Sequence, residues 1–185
     1  MRRKFVTKGK VVSVDLPSMR DAEELLDEVG EALDSGGTEV TPAAIEQAAA
    51  RIRSEHIDDF SIDSGDEVLV GSADDTTAVW TVDIPDPADA AESLFSVDLV
   101  GSRNAVSTDT GSFPQVTVIA DDLATASEVA AAIAEGGADD LAEVAERFDV
   151  DVITVDEDGT VETTPGFDTV LSGETVDELR ERTGR

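Results

Sequence analysis

Hydrophobic and polar residues recur along this chain with two different periods, and the changes of period mark out its elements. Residues 9 to 16, Gly-Lys-Val-Val-Ser-Val-Asp-Leu, carry β-branched side chains in partial alternation and predict a strand. From Ser18, a helix-capping residue type, the period lengthens. Ala22, Leu25, Leu26, Val29 and Leu33 recur on one helical face through about Asp34, and Gly36-Gly37 supply the stop. The opening unit thus reads as β then α. Thr41 followed by Pro42 marks a second helix start, because proline at the first helical position gives up no hydrogen bond. Ile45, Ala48, Ala49 and Ile52 form its apolar stripe, with an end near His56.

Between Ile57 and Thr108 short strand-like runs alternate with turn residues: Phe60 to Ile62, Val68 to Val70, Ala78 to Ile84, Leu94 to Val100 and Ala105 to Thr108. Their short links predict antiparallel pairing. Beyond Phe113-Pro114 come a strand at Gln115 to Ala120, an alanine-rich helix from about Thr125 to Glu135, and a further helix from about Ala138 to Phe148. Val152 to Val155 and Thr160 to Thr163 flank Asp156-Glu157-Asp158-Gly159, a hairpin signal because Asp-Gly tolerates the positive φ of a tight turn. Thr175 and Glu178 have the spacing of a capping box for a short last helix. With no repeat and no Pro/Gly/Ser linker, residues 1–185 read as a single α+β domain, a largely antiparallel sheet with helices packed on it.

Composition changes this picture in two ways. A chain of this length hides roughly 70% of its unfolded surface, so a core suffices, and the absence of cysteine removes disulfides, thiolate metal sites and a cysteine nucleophile together. The charge is more telling: 43 acidic against 13 basic residues give a formal net charge of -30. Nucleic acid and anionic membrane surfaces would be repelled, so neither is an expected partner. Forty per cent hydrophobic content with clear periodicity argues for a folded chain rather than an acidic disordered one. Self-repulsion of this size is relieved by dense salt, where the Debye length falls to about 3 Å at 1 M. Adaptation to a high-salt cytoplasm is the preferred reading, with an acidic binding protein of an ordinary cell as the alternative. Lysine occurs only at Lys4, Lys8 and Lys10. No apolar run approaches the roughly 20 residues that cross a bilayer. The basic start leads directly into a strand-forming Phe5 to Leu16 and reads as a structural N-terminus.

Candidate chemistry is sparse. The pairs Asp58-Asp59, Asp74-Asp75, Asp121-Asp122 and Asp139-Asp140 arise freely in so acidic a chain and read as solvated surface. Asp156 to Gly159 lacks the spaced ligands and closing glutamate of a twelve-residue calcium loop. His56 is the only histidine, which removes multi-histidine metal sites and catalytic triads, and it falls where a helix should end and the dipole favours a cation. Trp80 and the six phenylalanines read as core, and no Gly-rich phosphate-binding motif is present.

Five segments in order nevertheless form a pattern. Ile57-Asp-Asp-Phe-Ser-Ile-Asp-Ser-Gly-Asp-Glu-Val-Leu-Val-Gly71 resembles a strand, an Asn-Ala-Gly-Gly-Asp turn and a return strand. Trp80-Thr-Val-Asp-Ile-Pro-Asp-Pro87 is similar to Trp-x-Val-x-Ile-x-Asp-Pro, and Ala105-Val-Ser-Thr108 to Ala-Val-Ala-Thr-Ser-Gly. Val116 to Ala120 with Thr125-Ala126 resembles a strand leading into a Thr-Ala-Asp-Ala-Leu-Ala-Thr helix. Val155 to Gly159 with Pro165-Gly-Phe167 is similar to a closing hairpin. These are segments of the FAD:protein FMN transferases, the ApbE family, which the chain resembles from about residue 42 to 167 as a shortened and degenerate member.

The resemblance implies FAD and Mg²⁺ as cofactors and a flavoprotein acceptor or other protein as partner. It matches Ser64, Gly65, Thr108 and Ser127 to the family's flavin pocket. It also exposes departures. The family's glycine-threonine would fall at Gly9-Lys10, without the threonine, and its long middle section has no counterpart between Gly37 and Thr41. Ser127 stands where the family has a magnesium-holding aspartate, and Ala131 where it has the partner threonine. Glu128 is adjacent, but one residue turns a helical side chain by about 100°. The His-x-x-Asp-Pro-x-x-Gly loop expected before Val116 is missing. The expectation is an ApbE-like protein with weakened or lost catalysis, acting as a flavin-binding or accessory module. The alternative is an active magnesium-dependent transferase using Glu128, Asp121 or Asp122 as replacement ligands.

Overall fold

The computed structural model describes residues 1–19, 22–72, 79–87, 89–101, 103–109, 113–136 and 141–184. The acidic pairs Asp74-Asp75 and Asp139-Asp140, the start of the strand expected from Ala78 and the start of the helix expected from Ala138 lie outside these residues.

Eight strands build one sheet. In spatial order they are β1 (Arg2–Thr7), β2 (Lys10–Asp15), β3 (Phe60–Asp63), β4 (Glu67–Gly71), β7 (Asn104–Thr108), β8 (Gln115–Ala120), β9 (Asp151–Val155) and β10 (Val161–Thr163). Each neighbouring pair is antiparallel. The remaining two strands, β5 (Val79–Asp86) and β6 (Asp89–Val100), pair with each other as a ribbon inserted in sequence between β4 and β7, and β6 also bridges Leu171 through Val97. Helices α1 (Ala22–Leu33), α2 (Pro42–Ser54), α3 (Leu123–Gly136) and α4 (Leu141–Phe148) precede a last helix, α5 (Val176–Thr183).

The period-two side-chain alternation of the strands divides the interior into two cores. Val12, Val14, Ile62, Leu69, Val106, Val116 and Val118 face the first four helices, meeting Leu25, Leu26 and Val29 of α1, Ile45 and Ile52 of α2, and Val129 and Ile133 of α3. Their sequence neighbours Val68, Val70, Ala105, Ile119, Ile153 and Val155 face the other way, against Ile84, Phe95, Val97 and Leu99 of the ribbon, Phe167, and Leu179 of α5. The Phe95 and Phe167 rings meet edge to face at 6.1 Å. Central strand β8 is therefore buried at every position.

The predicted α+β architecture is the one observed, and the antiparallel runs from Phe60 onward are strands. Three expectations change. The single strand at 9 to 16 is the second arm of a hairpin whose turn is made by Lys8 (φ 50°) and Gly9 (φ 83°). The cations Arg2, Arg3 and Lys4 disguise β1 because its outer face has no apolar partner. Ser18 and Met19 are not helical, so Ser18 does not cap the first helix directly; its described residues are Ala22–Leu33. α2 does end beside His56, as expected: the Glu55 backbone caps it onto Ile52, and the exposed His56 turns the chain with φ 60°. Of the aromatic residues expected in the core, Phe60, Phe95 and Phe167 are buried, whereas Phe148 is 37% exposed beneath the Arg147 guanidinium.

The hairpin is fastened by charge. Arg2 meets Asp15, Arg3 meets Asp27, and Lys8 donates to the Ser35, Gly36 and Glu39 carbonyls just beyond the end of α1. An ammonium is favoured there because the end of a helix concentrates unpaired carbonyls.

Candidate functional site

The turn between β3 and β4 organises the region that the sequence singles out. Asp63 accepts from the Gly65 N–H at 2.8 Å, Ser64 N–H bonds the Glu67 carbonyl at 2.9 Å, and Gly65 takes φ 95°, a conformation that glycine adopts without cost. The Ser64 hydroxyl is buried and held by the Glu67 carboxylate and backbone, so it spans the turn rather than facing a cleft. The Ser107 N–H bonds the Asp66 carbonyl at 2.7 Å, fixing the turn against β7.

Two clefts flank this turn. One, of about 350 Å³, opens between the turn, the end of β7 and the first half of α3; Asp66, Glu67, Thr108, Asp109, Ser127 and Ala131 line it. Thr108 and Ser127, matched by sequence to one pocket, are thus brought together. Ser127 and Ala131 share a face of α3 because four residues make about one helical turn. The Ser127 Oγ is buried without a hydrogen-bond partner. The other cleft, of about 300 Å³, lies between the sheet and the ribbon, with Gly65, Trp80 and Arg2 on its walls. Asp66 and Ser107 border both. Gly65 therefore joins the second cleft, and Ser64 lines neither.

The electrostatics of the first cleft are acidic. Two of its carboxylates hold Lys10, whose ammonium meets Asp66 at 2.5 Å and Glu67 at 3.8 Å. Partial burial pulls the Lys10 ammonium down, but the hydrogen bond to Asp66 and the charges of Glu67, Asp66 and Glu39 outweigh it and hold it above the usual lysine range. Sequence reasoning missed this pair and the role of Asp66, Glu67 and Asp109. The only signal was Lys10 standing where the resemblance called for a threonine.

The alternative ligands lie elsewhere. Glu128 is exposed on α3 and is not among the cleft residues. Asp122 precedes α3 and caps its first turn, accepting from the Thr125 N–H at 2.8 Å and hydroxyl at 2.7 Å. Asp121 is exposed, with Arg103 Nε 3.9 Å away. Among the described residues no three histidine, aspartate or glutamate side chains converge on a point that could hold a metal. Magnesium demands near-octahedral oxygen ligation at about 2.0–2.1 Å. On the cleft face α3 offers it one neutral hydroxyl and, a turn later, a methyl group. The described residues lining this cleft do not converge to fit that ion.

No sequence-family model and no curated protein sequence matches the chain. Solved structures do. The flavin transferase ApbE of Vibrio cholerae superposes with a TM-score of 0.67 at 12% identity, over 92% of this chain and 99% of that one. The ApbE protein of Thermotoga maritima gives 0.65 at 12% identity, over 90% and 97%. The apo flavinyl transferase ApbE of Pseudomonas stutzeri gives 0.56 at 14% identity, over 84% and 65%. Identities this low speak to architecture alone, and on architecture they agree with the segment order read from the sequence: this chain has the ApbE fold.

Proposed function

We propose that this protein is a catalytically depleted ApbE-like module that serves a flavin-dependent system as a flavin-binding or accessory component. The observation that carries the reading is the cleft face of α3, where Ser127 and Ala131 stand in place of a carboxylate and a hydroxyl. Metal-assisted cleavage of a pyrophosphate needs a cation to neutralise the developing charge, and hard oxygen ligands to hold that cation. The surroundings point the same way. Asp66, Glu67 and Asp109 repel a diphosphate, and Lys10 is already engaged by the first two. This favours the accessory arm over tight nucleotide binding, with a flavoprotein as the partner, in a cell whose cytoplasm is rich in salt.

Titration with FAD in molar KCl, with and without Mg²⁺, tests the proposal when flavin fluorescence and AMP release are followed together. The expected outcome is weak, magnesium-independent binding and no AMP. Magnesium-dependent release of AMP would establish an active transferase in its place, with Glu128, Asp121 and Asp122 as the first ligands to mutate.

A further inference from the structure

β1 ends the sheet, so among the described residues no strand lies beside one of its backbone edges. The reciprocal bonds between Met1 and Leu16 make that pair hydrogen-bonded, and pairs then alternate along an antiparallel ladder. By this register Arg2, Lys4 and Val6 turn their N–H and C=O groups outward. Edges of this kind are templates for another strand.

The two faces beside this edge differ in chemistry. On the face away from the helices lie the side chains of Arg2, Lys4 and Val6; Lys4 is exposed with no partner among the described residues, and Val6 is 82% exposed. On the helix side a groove of about 390 Å³ runs between β1 and α1. Its floor is the Phe5 ring lying on Gly30, where a Cβ would come within 2.9 Å of the ring. Of the carboxylates on its rim, Asp27 and Asp34 are bonded to Arg3 and Thr7, and Glu31 is exposed to solvent.

We infer that β1 is a docking edge for an extended segment of a partner protein. The segment adds as a ninth strand, with an acidic side chain over Lys4, Arg2 being already paired with Asp15, and with aliphatic side chains on its other face in the Phe5–Gly30 groove. Main-chain bonds supply affinity in such strand addition, and the alternate pockets supply specificity. A second copy of this chain is the poorer occupant. Antiparallel self-pairing about the middle of β1 sets Lys4 against Lys4, and like charges directly opposite are unfavourable.

The probe is a capped, fluorescently labelled heptapeptide of alternating valine and glutamate, compared with one of valine and lysine, in the lowest salt at which the full chain stays folded. The glutamate peptide should bind about tenfold more tightly. Lys4→Glu should invert that order. Val6→Pro, which removes an outward N–H that no ladder bond uses, should abolish binding while leaving circular dichroism unchanged. Equal binding of the two peptides, binding that survives Val6→Pro in a folded variant, or no binding of either peptide would overturn the inference. So would a dimer in sedimentation that Val6→Pro dissociates, which would assign the edge to self-pairing.

Discussion

At the scale of single residues, Ser127 and Ala131 decide what the α3 cleft can do. Both line it and both lie on one helical face. The double change Ser127→Asp with Ala131→Thr should therefore return two oxygen ligands to a site that holds Thr108 and a nearby turn. FAD binding followed by fluorescence should then become magnesium-dependent, tightening on the order of tenfold when Mg²⁺ is added. Unaltered binding would mean that the surrounding acidic groups, rather than the missing ligands, control the cleft. That Thr108 and Ser127 line one cleft is what the resemblance implied, because likeness in local order carries helix phase and strand register with it. Lys10 and Asp66 were not legible beforehand: 56 residues separate them, and a chain with 43 carboxylates offers too many equivalent acidic partners for sequence to choose one. Ser64 shows the opposite failing. Its match to the pocket followed from the resemblance of the turn segment, yet its hydroxyl bonds Glu67 across the turn.

Elements are held by caps and by facing stripes, and both are open to measurement. α5 has the full capping box: the Glu178 N–H is accepted by the Thr175 hydroxyl, and the Glu178 carboxylate accepts from the Thr175 N–H at 2.8 Å. Thr175→Ala should cost about 1 kcal/mol, read as a lower thermal midpoint. The bonds from the Thr175 backbone and then its side chain hold the Glu178 carboxyl below its usual range. A depressed acid stabilises the fold above its unfolded pKa and loses that contribution as pH falls through the folded value. Glu178→Gln should accordingly lower stability at neutral pH and flatten the acid limb of the stability profile. In α2, Ile45 is fully buried in the helix-side core, and Ile45→Ala should cost about 2–5 kcal/mol in denaturant unfolding. The cap spacing, the Pro42 start and the period of the stripe were all readable. β1 was not, because an edge strand that shows cations to solvent lacks the alternation that betrays a strand.

For the whole molecule, the charge of -30 is the dominant fact. Raising KCl from tenth-molar to two molar should lift the thermal midpoint by about 10 °C or more, since self-repulsion is screened while two apolar cores are strengthened. A midpoint that is flat or falls with salt would remove the halophilic reading. Among the described residues no helix is long and apolar enough to cross a membrane. Sequence period alone told strand from helix, but it could not say that β5 and β6 leave the main sheet to cover its far side, because a half-buried strand alternates in the same way in either setting. That ribbon has a consequence for how such chains diverge. β4 and β7 are direct neighbours, with Leu69 opposite Asn104, so the backbone returns beside the point it left. Trimming, lengthening or exchanging the excursion would leave the order of the remaining strands untouched. The limit on such editing is wetting rather than connectivity: whatever replaces the excursion must keep Val68, Val70, Ala105 and Ile119 dry.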